Sequence, residues 1–290
     1  MCRQERSADG LRAPVNRIIP FSSVDGPGNR TAIFLQGCDW DCQYCHNPET
    51  RKLCINCSEC VKACPAGALG TDAEGKTTYD VSRCVFCDTC IRTCRHDASP
   101  RIQWLTPGET FRRVEAQLPF IRGVTVSGGE CCLYPDFLKE LFVLCRERGV
   151  GTMIDSNGSL PLEGRGDLLA VTDAVMLDVK AFDPAEHRRV TGADNAEVLK
   201  NAVFLAERGK LYEIRTVVVP GLFSAGETVR ETCRLLAPYL ETAPIRYKLI
   251  AYRENGVRPR FRIYDSPSAK ELQELEEIAR EEGFSDIICT

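Results

Sequence analysis

Eleven of the 17 cysteines in this chain lie between Cys38 and Cys94, in three spaced sets. Cys38, Cys42 and Cys45 follow the pattern C-x3-C-x2-C, and the sets Cys54, Cys57, Cys60, Cys64 and Cys84, Cys87, Cys90, Cys94 both follow C-x2-C-x2-C-x3-C. Three thiolates on one tight loop can hold three irons of a cubane 4Fe-4S cluster and leave the fourth iron open to an outside ligand. The two four-cysteine sets have the spacing of bacterial two-cluster ferredoxins, in which the last cysteine of each run completes the other cluster. That geometry predicts Cys94 with Cys54, Cys57 and Cys60, and Cys64 with Cys84, Cys87 and Cys90. Three cubanes present about 12 iron vertices, and eleven clustered thiolates leave one vertex unclaimed, on the first loop. Zinc is the alternative metal for paired C-x2-C motifs, but its sites use four ligands, usually as two pairs set well apart. Here four cysteines crowd into 11 residues, twice. Pro65 follows Cys64 as in ferredoxins, whereas Arg95 stands where the second run would carry proline.

Other candidates sit at the ends of strand-like runs. In VTVSGGE the run closes on Gly128, Gly129 and Glu130, and bare glycine backbone lets a ligand approach closely and meet carbonyls, although an ordinary tight turn has the same composition. Asp155 in DSNG and Asp178 in LDVK are carboxylates for hydroxyls or a small cation, with loop capping as the plainer role. Arg215 is a guanidinium inside an apolar run; it is costly unless paired, and reads equally as a fold salt bridge or as a site residue. Only three histidines (His46, His96, His187) are present, against a multi-histidine metal centre. Six cysteines (Cys2, Cys131, Cys132, Cys145, Cys233, Cys289) have no ligand spacing. Cys145 and Cys233 fall in helical patterns, as small apolar residues do; Cys131 and Cys132 follow GGE and are reactive only if exposed with a lowered pKa.

The elements that must position these groups alternate. Strand-like runs occur at 31–36, 124–127, 152–155, 174–180, 212–219 and 247–252, separated by amphipathic helical patterns, two of which end at Gly149 and Gly209. Six β/α units predict an α/β fold with a parallel sheet, either open and doubly wound or a partial barrel, with chemistry at the carboxyl ends of the strands. A last helical pattern, SAKELQELEEIAREEG, precedes a short run, DIIC. The predicted organisation is one domain from 16–49 and 101–290, interrupted by a ligand-held module at 50–100 that contains the repeat CINCSECVKACPAGAL and CVFCDTCIRTCRHDAS.

Composition narrows the class. A chain of 290 residues with 43% apolar residues can bury a core, and its formal charge of -4 with no long basic run speaks against a nucleic-acid partner. The first residues lack the apolar stretch of a secretory signal, and no run has the length of a membrane span. A reducing cytoplasmic setting is expected, where clustered thiols bind metal or do redox chemistry.

The C-x3-C-x2-C loop with Tyr44 before its third cysteine, together with TVSGGE, resembles the radical S-adenosylmethionine (SAM) enzymes. More narrowly, SSVDGPGNRTAIFLQGC, the two-cluster insertion, DSNG, MLDVK, VTGADN and RTVVVPG resemble the glycyl-radical-enzyme activating enzymes, over about residues 16–255 and in that family's order. It looks most similar to the branch whose target protein has no assigned reaction. The resemblance implies the radical SAM fold, a partial (β/α)6 TIM-type barrel with an inserted ferredoxin-like two-cluster module. It implies three 4Fe-4S clusters, with Cys38, Cys42 and Cys45 as the catalytic set. SAM would chelate the open iron and be cleaved by one electron to methionine and a 5′-deoxyadenosyl radical that takes a hydrogen from a glycine of a partner protein. Implied cofactor-binding residues are Tyr44 on adenine, Cys45, His46, Gly128, Gly129, Glu130, Asp155, Asp178, Val179, Lys180 for the methionine carboxylate, and Arg215. Arg253 in AYRENG occupies a position where such enzymes commonly carry His, and its charge does not titrate near neutrality. Implied partners are a glycyl radical enzyme and an electron donor such as flavodoxin or ferredoxin, in an anaerobic setting, with no nucleic acid and no membrane. Two other readings compete: a ferredoxin-like electron carrier, and a radical SAM enzyme acting on a small molecule or peptide. An open iron is of no use to a carrier, and only Cys289 lies in the last 50 residues, where peptide-modifying relatives usually place auxiliary cysteines.

Overall fold

The structure, a computed structural model, describes residues 5–7 and 10–290, so Cys2 lies outside the described residues. The chain forms two compact units, Met1–Asp39 with Asn47–Val150, and Trp40–His46 with Gly151–Thr290.

In the first unit, β1 (Glu5–Ser7), β2 (Gly10–Ser22) and β3 (Arg30–Leu35) come first. The cysteine-rich segment follows as α1 (Glu59–Ala63), β4 (Leu69–Thr71), β5 (Thr77–Tyr79) and α2 (Thr89–Thr93). β6 (Gln103–Leu105), α3 (Pro107–Glu115), β7 (Gly123–Gly128) and α4 (Pro135–Glu147) complete the unit. β3 and β7 pair in parallel from Arg30↔Gly123 to Leu35↔Gly128, so the segments leading to Cys38 and to Glu130 leave the sheet side by side. A parallel pair needs a crossover, and the cysteine-rich segment lies in this one together with α3. The ends of that segment meet at the Lys52↔Ala98 bridge and the 2.7 Å Arg51–Asp97 ion pair. α3 begins in a capping box of Thr106 and Glu109. α4 buries Phe137, Leu138, Leu141, Phe142 and Cys145, so Cys145 is a core residue, as its helical position suggests.

β2 is an addition to the sequence-derived scheme, which has no strand before residue 31. Pro14 and Pro20 argue against a strand there. The structure accommodates both: Pro20 falls in the register shift between Ile19 and Ser22, and the Pro14 carbonyl accepts from the Gln36 amide at 2.9 Å. β2 runs antiparallel to β3, and β1 and β6 pair with its N-terminal part.

The second unit contains β8 (Gly151–Ser156), α5 (Gly166–Leu169), β9 (Ala174–Asp178), α6 (Pro184–Thr191), α7 (Ala196–Glu207), β10 (Leu211–Val218), α8 (Ala225–Leu236), β11 (Arg246–Ala251), α9 (Ala269–Glu281) and β12 (Ile287–Cys289). Its strands are parallel and ordered β8-β9-β10-β11-β12. A doubly wound sheet reverses order at a switch point; β8 to β12 do not, and wind in one direction as barrel strands do. One face carries Ile154, Val175, Leu177, Ile214, Tyr247 and Leu249, all fully buried. By register the other face aligns Asp155, Met176 and Glu213 in one row and Asp178, Arg215 and Lys248 in the next. A parallel strand buried on both faces is normally apolar throughout, so a charged face marks where the sheet meets something other than its helices.

Candidate active site

The loop Trp40–His46 carries Cys42 and Cys45 and is tied down through both backbone and side chains. The Asp41 amide donates to the Thr191 carbonyl at 2.8 Å and the Gln43 amide to Val190 at 2.9 Å, which anchors the loop on the end of α6. Trp40 packs edge-on against His187, with centroids 4.9 Å apart. Tyr44 is 2% exposed, with its ring in a core of Val190, Val217, Val219, Leu222, Phe223 and Tyr252. Apolar side chains neighbour this ring. Its hydroxyl is buried without a partner. The ring of His46 also serves the fold, with Nε2 bonded to the Arg253 carbonyl at 2.9 Å and the ring stacked on Tyr252. Gly256, at φ +82, lies against this loop, where a Cβ would come within 2.1 Å of the His46 carbonyl oxygen. The Gly of AYRENG is thus required by a close approach, whereas the side chain of Arg253 is exposed and Arg253 serves the loop through its carbonyl.

Asp178 ends β9, followed by Val179 and Lys180. The Val179 amide donates to the Arg215 carbonyl at 2.8 Å, which continues the pairing past the strand end. Lys180 Nζ is 2.7 Å from Asp178 Oδ2 and 5.6 Å from the centroid of the Tyr44 ring. Burial disfavours the Lys180 charge, but Asp178, Tyr44 and Cys42 outweigh it and hold the ammonium well above its ordinary pKa. Desolvation pushes the Cys42 thiol up to about 12 against the opposing pull of Lys180. A thiol so placed needs a bound metal ion to become a thiolate.

Arg215 pairs with Asp155 at 3.0 Å and with Glu213 at 2.5 Å. Burial opposes its charge, but Asp155, Glu213 and Asp178 raise its pKa further above the ordinary guanidinium value. Of the two roles the sequence left open for Arg215, its contacts are those of the fold salt bridge. Asp155 is its partner, and Glu213 is a member that sequence reasoning missed. A buried pair of this kind is strongly destabilised when one member is removed, because the other charge is left uncompensated.

In the first unit, Gly128 and Gly129 are required by backbone contact. A Cβ on Gly128, at φ +132, would lie 2.1 Å from the Leu35 carbonyl oxygen, and one on Gly129 would lie 2.2 Å from that of Gly37. The Gly129 amide donates to Leu35 and the Glu130 amide to Gly37, at 3.0 and 2.7 Å, so this turn presses on the residue that precedes Cys38. A Glu130 carboxylate oxygen caps its own turn by accepting from the Cys132 amide at 2.8 Å. Cys131 and Cys132 are buried, and the exposure that a reactive thiol needs is missing.

The two four-cysteine sets come together in crossed fashion. Cys54, Cys57, Cys60 and Cys94 line one cavity, and Cys64, Cys84, Cys87 and Cys90 another. The repeat is also a repeat of backbone: Asn56 and Ser58 in one run, and Phe86 and Asp88 in the other, occupy equivalent positions with φ between 52 and 61°. Non-glycine residues, Phe above all, adopt this conformation at a cost of about 1–3 kcal/mol. Here the left-handed turns wrap each loop around its thiols, as the Asn56 amide facing Cys54 Sγ at 3.4 Å shows. The donor sets and their crossing fit 4Fe-4S clusters.

Arg258 is a functional candidate that the sequence did not signal. It is 6% exposed, donates to the Cys42 carbonyl at 2.8 Å and pairs with the Asp41 carboxylate. It acts through the loop and is thus a positioning residue for Cys42. Arg258→Ala is expected to lower SAM cleavage by about 10–100-fold, the usual cost of losing a group that orients a ligand. Iron bound by the two four-cysteine sets should be unchanged, and Arg258→Lys should recover little because the fork is lost. Cleavage assays paired with iron analysis check this.

Known proteins resemble this chain over both its cysteine-rich segment and the rest. A family model described as the radical SAM superfamily matches residues 81–236, and one described as a 4Fe-4S dicluster domain matches residues 53–98. The chain is 31% identical to the indoleacetate decarboxylase activating enzyme of Tractidigestivibacter scatoligenes, over 98% of this chain and 99% of that one. It is 33% identical to the pyruvate formate-lyase-activating enzyme of Streptococcus mutans, over 83% of this chain and 78% of that one. Among solved structures, QueE from Escherichia coli has a similar fold, with a TM-score of 0.52 at 12% identity over 96% of this chain and 94% of that one.

Proposed function

The chain belongs to the radical SAM superfamily, and within it to the glycyl-radical-enzyme activating enzymes; on that footing we propose that it installs a radical on a glycine of a partner enzyme. The observation that carries this reading is the division of the cysteines into two complete four-thiol sets and one set of three. A complete set saturates its cluster, and a set of three leaves an iron to which a substrate cofactor can bind. When bound, such a cluster supplies one electron to the sulfonium of SAM, releasing methionine and the 5′-deoxyadenosyl radical that takes the glycine hydrogen.

The chain's own residues bind, orient and exclude water. Cys38, Cys42 and Cys45 are the ligands of this catalytic cluster, and Arg258 and the ends of α6 hold Cys42 in place. Lys180, kept charged by Asp178, is the cation for the methionine carboxylate. The carbonyls at Gly128 and Gly129, with Glu130, receive its amine, and Asp178 and Val179 line the strand end. Asp155 and Arg215 contribute as a mutually neutralised pair, while His46 and Arg253 shape the loop. The eight remaining clustered cysteines hold two auxiliary clusters, for a total of about 12 iron and 12 sulfide per chain. An external donor such as flavodoxin or ferredoxin supplies the electron, in an anaerobic cytoplasm. Among the described residues no helix is long and apolar enough to cross a membrane.

The decisive experiment offers the reconstituted, reduced protein a glycyl radical enzyme labelled with deuterium at the α-carbon of glycine. Deuterium is expected in 5′-deoxyadenosine, together with a glycyl radical signal in the partner. Product that stays unlabelled against every candidate partner, while SAM is cleaved, would sink the glycine assignment and favour a small-molecule or peptide substrate.

A further inference from the structure

The two auxiliary sets share a spacing and a backbone but not an electrostatic surrounding. The cavity of Cys64, Cys84, Cys87 and Cys90 is also lined by Tyr79, Asp88 and Arg101, and that of Cys54, Cys57, Cys60 and Cys94 by Glu59 and His96. Arg101 is held in place by a 2.7 Å ion pair with Asp88 and by the ring of Phe86, 6.0 Å from its guanidinium. Its side chain is 17% exposed against 56% for Asp88, so water screens the carboxylate far more than the guanidinium. Arg92 adds a second guanidinium, bonded to the Cys87 carbonyl at 2.9 Å. At the other set the charges are Glu59 and a highly exposed Arg95 that lies 4.0 Å from it.

Positive charge and hydrogen bonds to the sulfurs favour the reduced state of an iron–sulfur cluster, which carries one more negative charge. Hydrogen-bonding groups reach sulfur in both sets, the Asn56 amide at Cys54 Sγ among them, whereas the buried positive charge is found at the second set alone of the two. Arg101 and Tyr79 line the cavity beside Cys84, and Thr89 lies 3.3 Å from Cys87 Sγ. We propose that the two auxiliary sites are electronically unequal, with the site of Cys64, Cys84, Cys87 and Cys90 accepting an electron at the higher potential, and that Arg101 is the residue that sets the difference. The step is uptake of one electron per site from an external low-potential donor, which is itself oxidised by one, with no bond made or broken and no proton moved. Arg101 is thus a tuning residue and not a ligand. The inference rests on the assignment of these eight cysteines to two clusters.

The test is a potentiometric titration of the full, anaerobically reconstituted chain with dithionite and mediators, followed by electron paramagnetic resonance. Addition of SAM separates the signal of the three-cysteine cluster from the auxiliary pair. Two unequal auxiliary potentials are expected. Arg101→Gln should lower the reduced-to-oxidised ratio of the higher one about tenfold at fixed ambient potential, a shift of about 59 mV for one electron. Asp88→Asn, which removes the opposing carboxylate, should move the same signal upward, and neither variant should move the other. Opposite signs on one signal cannot come from general loosening of the module. Two loaded auxiliary clusters with equal potentials, or with potentials that neither variant moves, would overturn the proposal. A wild-type chain that binds only about four irons would overturn the ligand assignment beneath it as well.

Discussion

Cys45→Ala is expected to abolish reductive SAM cleavage while retaining about eight of about 12 irons. Cys45 belongs to the three-cysteine loop, its amide bonded to the Cys42 carbonyl at 3.2 Å, whereas the eight auxiliary cysteines surround two cavities of their own in the first unit. Loss of a group that merely orients a ligand costs about 10–100-fold, and loss of the ligand itself should exceed the upper figure. The measurement is 5′-deoxyadenosine formed with dithionite, beside iron and sulfide content. A variant that cleaves SAM at more than a hundredth of the wild-type rate would show that the iron-binding role lies elsewhere.

Gly129→Ala is expected to unfold the protein roughly 10 °C sooner, corresponding to about 4 kcal/mol. Its added methyl group would meet backbone on two sides, 2.2 Å from the Gly37 carbonyl oxygen and 2.9 Å from that of Thr50. Both carbonyls belong to backbone fixed by hydrogen bonds, Gly37 N to Thr50 O and Glu130 N to Gly37 O at 2.7 Å each, which cannot swing aside as a side chain can, and Gly37 leads directly into Cys38. The same change at Gly108, in the first turn of α3 with nothing within 4 Å of a Cβ, should be neutral or slightly stabilising. Thermal melts of both variants compare the two; equal stabilities would show that the β3 and β7 ends do not meet as described.

Much of this was legible because covalent spacing constrains it. A metal cluster spans only a few ångström, so its ligands crowd in sequence, and the ferredoxin spacing anticipated even the crossed grouping of Cys64 and Cys94. β3 and the strands from β7 to β11 were visible as short apolar runs, because a strand covered by helices is chemically uniform, whereas β4, β5 and β6, of three residues each, are too short for a period to show. β2 was not visible: Pro14 and Pro20 break its pattern, and its partners compensate at positions that no local window contains.

The division of the cysteines into two sets of four and one of three, and the order of strands and helices, follow from residues near one another in the chain, where spacing alone limits the geometry. Arg258 on the Cys42 carbonyl, Glu213 beside Arg215, the glycines pressed against Leu35, Gly37 and His46, and Arg101 beside one auxiliary set are long-range contacts or close backbone passages. An arginine, a glutamate or a glycine has the same local signature on a surface as in such a place. Its role depends on desolvation and on which partner the fold brings within hydrogen-bonding distance, and both are properties of the packed chain.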